Sequence, residues 1–244
     1  MTNKDIPAWA MEPFDTFIHD IERLTVHTIV ASLGGAFIIT DQELAMQRLS
    51  QMATISNNLI TDDIKTRIVK SAQSEEVVDI IYQQALTALW GILESFIYDL
   101  FVTWLENDSQ VLQNDIFART KVSLAQYMMM SDEEKRQYIL DSVKQDTKSS
   151  LKHGINMFEV LLEPLGLKGN IDEEVKKKLR EFSNTRNVIV HKRGIVDRRM
   201  VEACPWLDLS VGHKIKITPL LYYEYVGAAI TYIKDINTRV KNYF

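Results

Sequence analysis

Cysteine, proline, glycine and long apolar runs are all scarce in this chain of 244 residues. The single cysteine excludes a disulfide framework and a cysteine-based zinc site, and it fits a reducing compartment. Nine glycines and five prolines argue against a turn-rich all-β fold. The longest apolar run, residues 28–40, contains Gly34-Gly35 and falls short of the ~20 residues that span a bilayer. Met1-Thr2-Asn3-Lys4-Asp5 is not followed by an apolar signal core with a small-residue cleavage site, so a soluble, cytoplasmic protein with no membrane association is expected. No internal repeat or low-complexity tract is visible. What remains is the composition of an ordinary globular protein, 46% hydrophobic and 25% charged, of one or two domains. Its net charge of −5 argues, taken whole, against a polyanionic partner.

The apolar periodicity is almost entirely helical. Phe14, Phe17, Ile18, Ile21 and Leu24 recur at helical spacing after Pro13, in a segment expected to end near Gly34-Gly35. Thr40 with Glu43 forms a capping-box pattern and opens a helix toward residue 57. A short helix is expected over 61–70. The strongest pattern covers 74–106, which would be roughly 48 Å long at ~1.5 Å per residue. Ser131 with Glu134 is a second capping box, for a helix to about 148, and another helix is expected over 149–162, stopped by Pro164 and Gly166. Asn170 with Glu173 caps a helix over 171–190 that Gly194 should end. The alternating Lys214-Ile215-Lys216-Ile217 implies a short hairpin or irregular loop. Thr218-Pro219 then opens a final helix. The expectation is an all-α, up-and-down helical bundle over 75–243, carrying an N-terminal helical extension, 1–70, packed on it as one compact domain.

Several constellations point nowhere. Of the histidines His19, His27, His153, His191 and His213, His19 pairs with Glu22 at helical spacing, but no second Glu-x-x-His pair completes a bundle metal site. No metal and no cofactor is expected. Gly34-Gly35 lacks the Lys-Ser/Thr of a phosphate loop. Cys204, before Pro205 and far from histidine, is expected to be a buried or idle thiol. Met128-Met129-Met130 is expected to pack internally.

One segment stands apart. Residues 176–199 hold nine Lys or Arg and two acids, a balance of +7, which leaves −12 for the rest of the chain. Within it, Arg186 and His191 bracket Asn187-Val188-Ile189-Val190, whose apolar residues should anchor the helix. On an ideal helix the two lie about 140° apart, so a long Arg side chain or a loosened helix end is needed to bring both heads to one cleft. A neutral imidazole can accept and return a proton, and a guanidinium can hold a phosphate and stabilise charge developing on it. RNA supplies its own nucleophile, the 2′-hydroxyl, so this pair needs no metal. With eleven arginines and five histidines, an Arg followed by His after four to six residues is expected roughly 0.7 times by chance, so the spacing alone decides little. The plain alternative has Arg186 in a surface salt bridge and His191 at a helix C-terminus, favoured by the dipole.

The order of the motifs resembles the HEPN family of helical-bundle ribonucleases found in bacterial defence and toxin–antitoxin operons. The resemblance covers roughly 75–243. It rests on Arg186-Asn187-Val188-Ile189-Val190-His191, on Gly194-Ile195-Val196-Asp197 with the hairpin-like 211–217, and on the earlier apolar helix containing Leu93-Glu94-Ser95-Phe96. It implies a metal-independent endoribonuclease in which Arg186 and His191 are catalytic, Asn187 supports them and Glu94 orients them. Lys192, Arg193, Arg198, Arg199 and Arg180 would contact RNA. It also implies a homodimer with a composite site and an antitoxin or defence-operon partner protein. The family's Asn after the His is here Lys192, and the Tyr of the nucleotidyltransferase-silenced subset is here Arg193. A non-catalytic HEPN-like module that binds RNA or nucleotide, or scaffolds a partner, is the alternative.

Overall fold

A computed structural model describes residues 6–55, 61–72, 75–119, 121, 123–146 and 154–244. About 82% is helical, with no strand or sheet among the described residues. The helices are α1 (Ala8–Thr40), α2 (Gln42–Ile55), α3 (Asp62–Ala72), α4 (Glu75–Asn107), α5 (Asp115–Arg119), α6 (Leu124–Met129), α7 (Asp132–Asp146), α8 (Asn156–Leu162), α9 (Glu173–Lys192), α10 (Arg198–Ala203) and α11 (Pro219–Tyr243). The expected all-α class is what forms.

Helix α4 is the spine, because it is apolar on several faces. Leu86, Leu89, Leu93, Ile97, Leu100, Phe101 and Trp104 are all fully buried along it. A helix apolar all round must be covered on every side. Helix α1 covers one side antiparallel, setting Phe14 and Phe17 on Phe96 with ring centroids 5.0 and 5.3 Å apart, and Trp9 on Trp104 at 5.2 Å. Helix α11 covers another side in parallel, with Tyr222 against Tyr82 at 5.4 Å and Tyr243 against Trp104 at 5.2 Å. Phe158 of α8 and Phe182 of α9 both pack on Trp90, at 5.4 and 5.1 Å. By length and composition alone, 76–107 is apolar enough to cross a membrane, at a mean hydropathy of 1.5. Its apolar residues are instead those of a bundle spine. Phe14 and Phe17 belong to the same core cluster as Leu93 and Tyr232, so α1 shares one core with the later helices.

Local signals set the helix ends with mixed success. Ser131 and Glu134 form the expected reciprocal box: the Ser131 N–H donates to the Glu134 carboxylate at 2.7 Å, and the Glu134 N–H to the Ser131 hydroxyl at 3.3 Å. The backbone N–H of Ser131 holds the Glu134 carboxyl below its usual range. Thr218 caps α11 by accepting from the Leu221 N–H at 3.2 Å. Asp41 accepts at the start of α2, from the Leu44 N–H at 3.0 Å. At α9 the cap moves. Asp172, not Asn170, caps α9 by accepting from the N–H groups of Glu174 and Val175. Helix α1 starts before Pro13 and continues through Gly34-Gly35 to Thr40, since two glycines cost a helix only about 1 kcal/mol each and do not by themselves end it. The expected helix starts at Ser74 and Ser149, the ends near 57 and 148, and His153 lie outside the described residues.

Two packing expectations fail. Met128 and Met129 are 73% and 87% exposed, because α6 is a short helix on the outside of the bundle. Val190 is 44% exposed, so only Val188 and, in part, Ile189 anchor that end of α9. Of the expected hairpin or irregular loop, the irregular loop forms, joined by an isolated antiparallel bridge, Ile195 to Lys214. Val196 donates to the His213 carbonyl and Ile215 to that of Gly194, both at 2.8 Å. Beneath this loop the buried Asp79 of α4 accepts from the Ile217 N–H at 2.7 Å, tying the start of α4 to the entrance of α11.

Candidate active site

Helix α9 ends where Gly194 requires it to. Arg193 takes the left-handed conformation at φ 55°, Gly194 follows at φ 78°, and the Gly194 N–H closes back on the Val188 carbonyl at 3.1 Å. The closure leaves His191, Lys192 and Arg193 exposed on the final turn. The negative end of the helix dipole there favours cations. Asp197 caps α10 by accepting from the Met200 N–H at 3.0 Å, which swings the first turn of α10 back beside that end.

The result is a recess of about 210 Å3 lined by Asn184, Asn187, His191, Lys192, Asp197 and Arg199, with Val188 and Met200 beneath. Asn187, His191, Lys192 and Arg199 of the expected set therefore meet. Arg186 does not line the recess. It is half-buried toward the bundle, and its Nη1 donates to the Asn187 Oδ1 at 3.2 Å. Its Nε is buried without a hydrogen-bond partner among the described residues. Asn187 is thus the joint between the guanidinium and the recess. No hydrogen bond or ion pair is formed between Arg186 and His191, and none places Arg186 in a surface salt bridge, among the described residues.

Glu94 is not brought to the pair. Phe182 meets Trp90, while the far end of α9 leads through Ile195–Lys214 to Ile217 and so to Asp79, which means α9 descends α4. Glu94 is one turn beyond Trp90 and Arg186 one turn beyond Phe182, in opposite directions, about 6 Å each. Glu94 is half-buried and bonds to neither residue among the described ones. Arg180 also lies apart. It lines a second recess with Lys176, Lys177 and Trp206, about 16 Å from His191 along the axis. Arg193 and Arg198 are exposed beside the first recess without lining it.

The basic segment is less positive than its count. Lys176 pairs with Glu173 at 2.6 Å, and Lys178 bridges Glu181 at 3.3 Å and Glu224 at 3.0 Å. Buried Glu181 collects further donors, the Tyr225 hydroxyl at 2.9 Å and the Trp206 indole N–H at 3.3 Å. Burial, then the Glu181 charge, raises the Tyr225 phenol; the same two causes push the Cys204 thiol up to about 11. Cys204 is buried, one of the two expected states. Among the described residues no group of three His, Cys, Asp or Glu could hold a metal, and His19 sits exposed 3.8 Å from Asp20.

Asn184, Asp197 and Met200 complete the recess, and Asn184 and Met200 carried no signal in the sequence. Asp197 had one available: an acid three residues before Met200, at the start of a short helix, is a capping position. The chain matches no family model, no curated protein and no solved structure.

Proposed function

We propose that the protein is a metal-independent endoribonuclease of the HEPN type, acting in antiviral defence or as a toxin, with Arg186 and His191 at its site. The observation that carries the reading is the Arg186 guanidinium. It is half-buried, holds one long hydrogen bond to Asn187, and leaves its Nε unpartnered. A charge desolvated to that extent without an acid beside it is costly, and a phosphate would supply the missing acceptors. Asn187 connects it to a recess where His191, Lys192 and Arg199 gather.

His191 takes the proton of the 2′-hydroxyl, the 2′-oxygen attacks phosphorus, and the bond from phosphorus to the 5′-oxygen breaks. The imidazolium then gives its proton to the departing 5′-oxygen. Protons balance, and the products are a 2′,3′-cyclic phosphate and a 5′-hydroxyl. Arg186 stabilises the charge gathering on the phosphoryl oxygens. Since Arg186 and His191 of one chain do not meet, the working site draws on two copies, as the resemblance implies. The same separation supports the second reading, a non-catalytic module that binds RNA with a partner protein, antitoxin or other.

Cleavage of RNA in EDTA separates the two. Wild type should cut, and Arg186→Ala and His191→Ala should each lose the activity by at least a hundredfold. Equal degradation by wild type and His191→Ala ends the ribonuclease reading; RNA binding without strand scission establishes the second.

A further inference from the structure

The basic segment divides into two patches, and the one remote from His191 is built around an aromatic ring. Trp206 follows Pro205 in a 3-10 turn and is 37% exposed. Its indole N–H is spent on the buried Glu181 carboxylate at 3.3 Å, so the ring is held in one orientation. Lys177 lies over the ring, 5.4 Å from its centroid. Arg180 and Lys176 line the same recess, of about 300 Å3, with Glu173 and Glu174 at its far edge. Glu173 is taken by Lys176. An exposed, oriented indole beside cations is the combination that binds single-stranded nucleic acid without reading its sequence, the base stacking on the ring and the cations holding its phosphates.

The geometry points to Trp206, Lys177 and Arg180 as a second RNA contact, a stacking platform that holds the single strand about 16 Å from the His191 recess along α9. The inference rests on the ribonuclease reading for its ligand class. A strand of several nucleotides spans both patches, whereas a very short one occupies a single patch. Binding should therefore grow with length in a way that depends on the platform.

The test uses 2′-O-methyl oligonucleotides, which bind but offer no nucleophile, so that binding is read apart from cleavage. In the full chain, a 12-mer should bind at least tenfold tighter than a 4-mer and quench tryptophan emission. Lys177→Ala with Arg180→Ala, both exposed positions, should abolish that length advantage. Trp206→Leu should weaken the 12-mer about tenfold, and Trp206→Phe, which keeps a ring, should retain most affinity while losing the quench. Equal 12-mer affinity in wild type and the double variant overturns the platform, even where wild type cleaves RNA. Length-dependent binding lost in the double variant upholds it, even where no cleavage occurs. No binding of either oligonucleotide by wild type overturns both readings.

Discussion

Replacing Arg186 by methionine should change stability little while removing the RNA contact proposed for it. Methionine keeps most of the apolar stem that packs within the bundle. What is lost is one hydrogen bond of 3.2 Å to Asn187, on the half-exposed side of the group. A hydrogen bond to a charged group contributes about 1.5–3 kcal/mol, and this one is long and shared with water, so it falls at the low end. What is relieved is a buried donor without a partner, the Nε, whose cost is about 1–3 kcal/mol. The two terms nearly offset, and the net change should lie between about 0.5 kcal/mol of destabilisation and about 1.5 kcal/mol of stabilisation. In a chain of this size each kcal/mol moves Tm by about 2–4 °C. Thermal unfolding followed by circular dichroism should therefore show Tm between about 2 °C lower and about 6 °C higher, with RNA affinity down at least tenfold in the same preparation. A loss of stability above about 2 kcal/mol would refute the reasoning, because it would make Arg186 a structural residue whose partner is the fold itself.

Three further outcomes are expected. Arg239→Met should destabilise by about 1–3 kcal/mol, because Glu159, whose side chain is 9% exposed, loses both Arg239 contacts at 2.9 Å and keeps only the Tyr232 hydroxyl and the Gly169 N–H, while the unpartnered Arg239 Nε is removed with them; Lys168→Met, breaking a 2.8 Å pair that is more than half exposed on both sides, should change stability by less than about 0.5 kcal/mol in the same urea titration. Cys204 should resist iodoacetamide at pH 8 in the folded protein, since burial raises its pKa to about 11 and leaves on the order of one thiolate per thousand thiols, and it should alkylate readily in denaturant. Binding of an uncleavable 4-mer, which reaches one patch, should fall with salt at a slope near −2 on a log–log plot, about three phosphate contacts, and Lys192→Ala should reduce that slope by roughly 0.7.

The sequence was most informative where structure is decided locally. The Ser131–Glu134 box, the Thr218–Pro219 start and the Gly194 stop involve residues within six positions of one another, and all three form. The cap moved where several acceptors compete within one turn, as with Asn170 and Asp172. What could not be read is pairing across the chain. Glu159 and Arg239, 80 positions apart, meet only because α8 and α11 pack together, as Asp79 and Ile217 meet through α4. The candidate site was half legible. His191, Asn187 and Lys192 are neighbours in sequence and in space, and Arg199 joins them when Asp197 turns α10 back. Glu94 fails because helix direction carries it away from Arg186, which no spacing rule encodes.

The central claim is that the RNA's own 2′-oxygen is the nucleophile and His191 its base. Wild type and His191→Ala, incubated in EDTA with an RNA and with its 2′-O-methyl counterpart, test it most directly when the product ends are mapped. The account predicts that wild type cuts the RNA alone, leaving 2′,3′-cyclic phosphate and 5′-hydroxyl ends, and that His191→Ala leaves both intact. Intact RNA with wild type, or scission of the 2′-O-methyl strand, would contradict it.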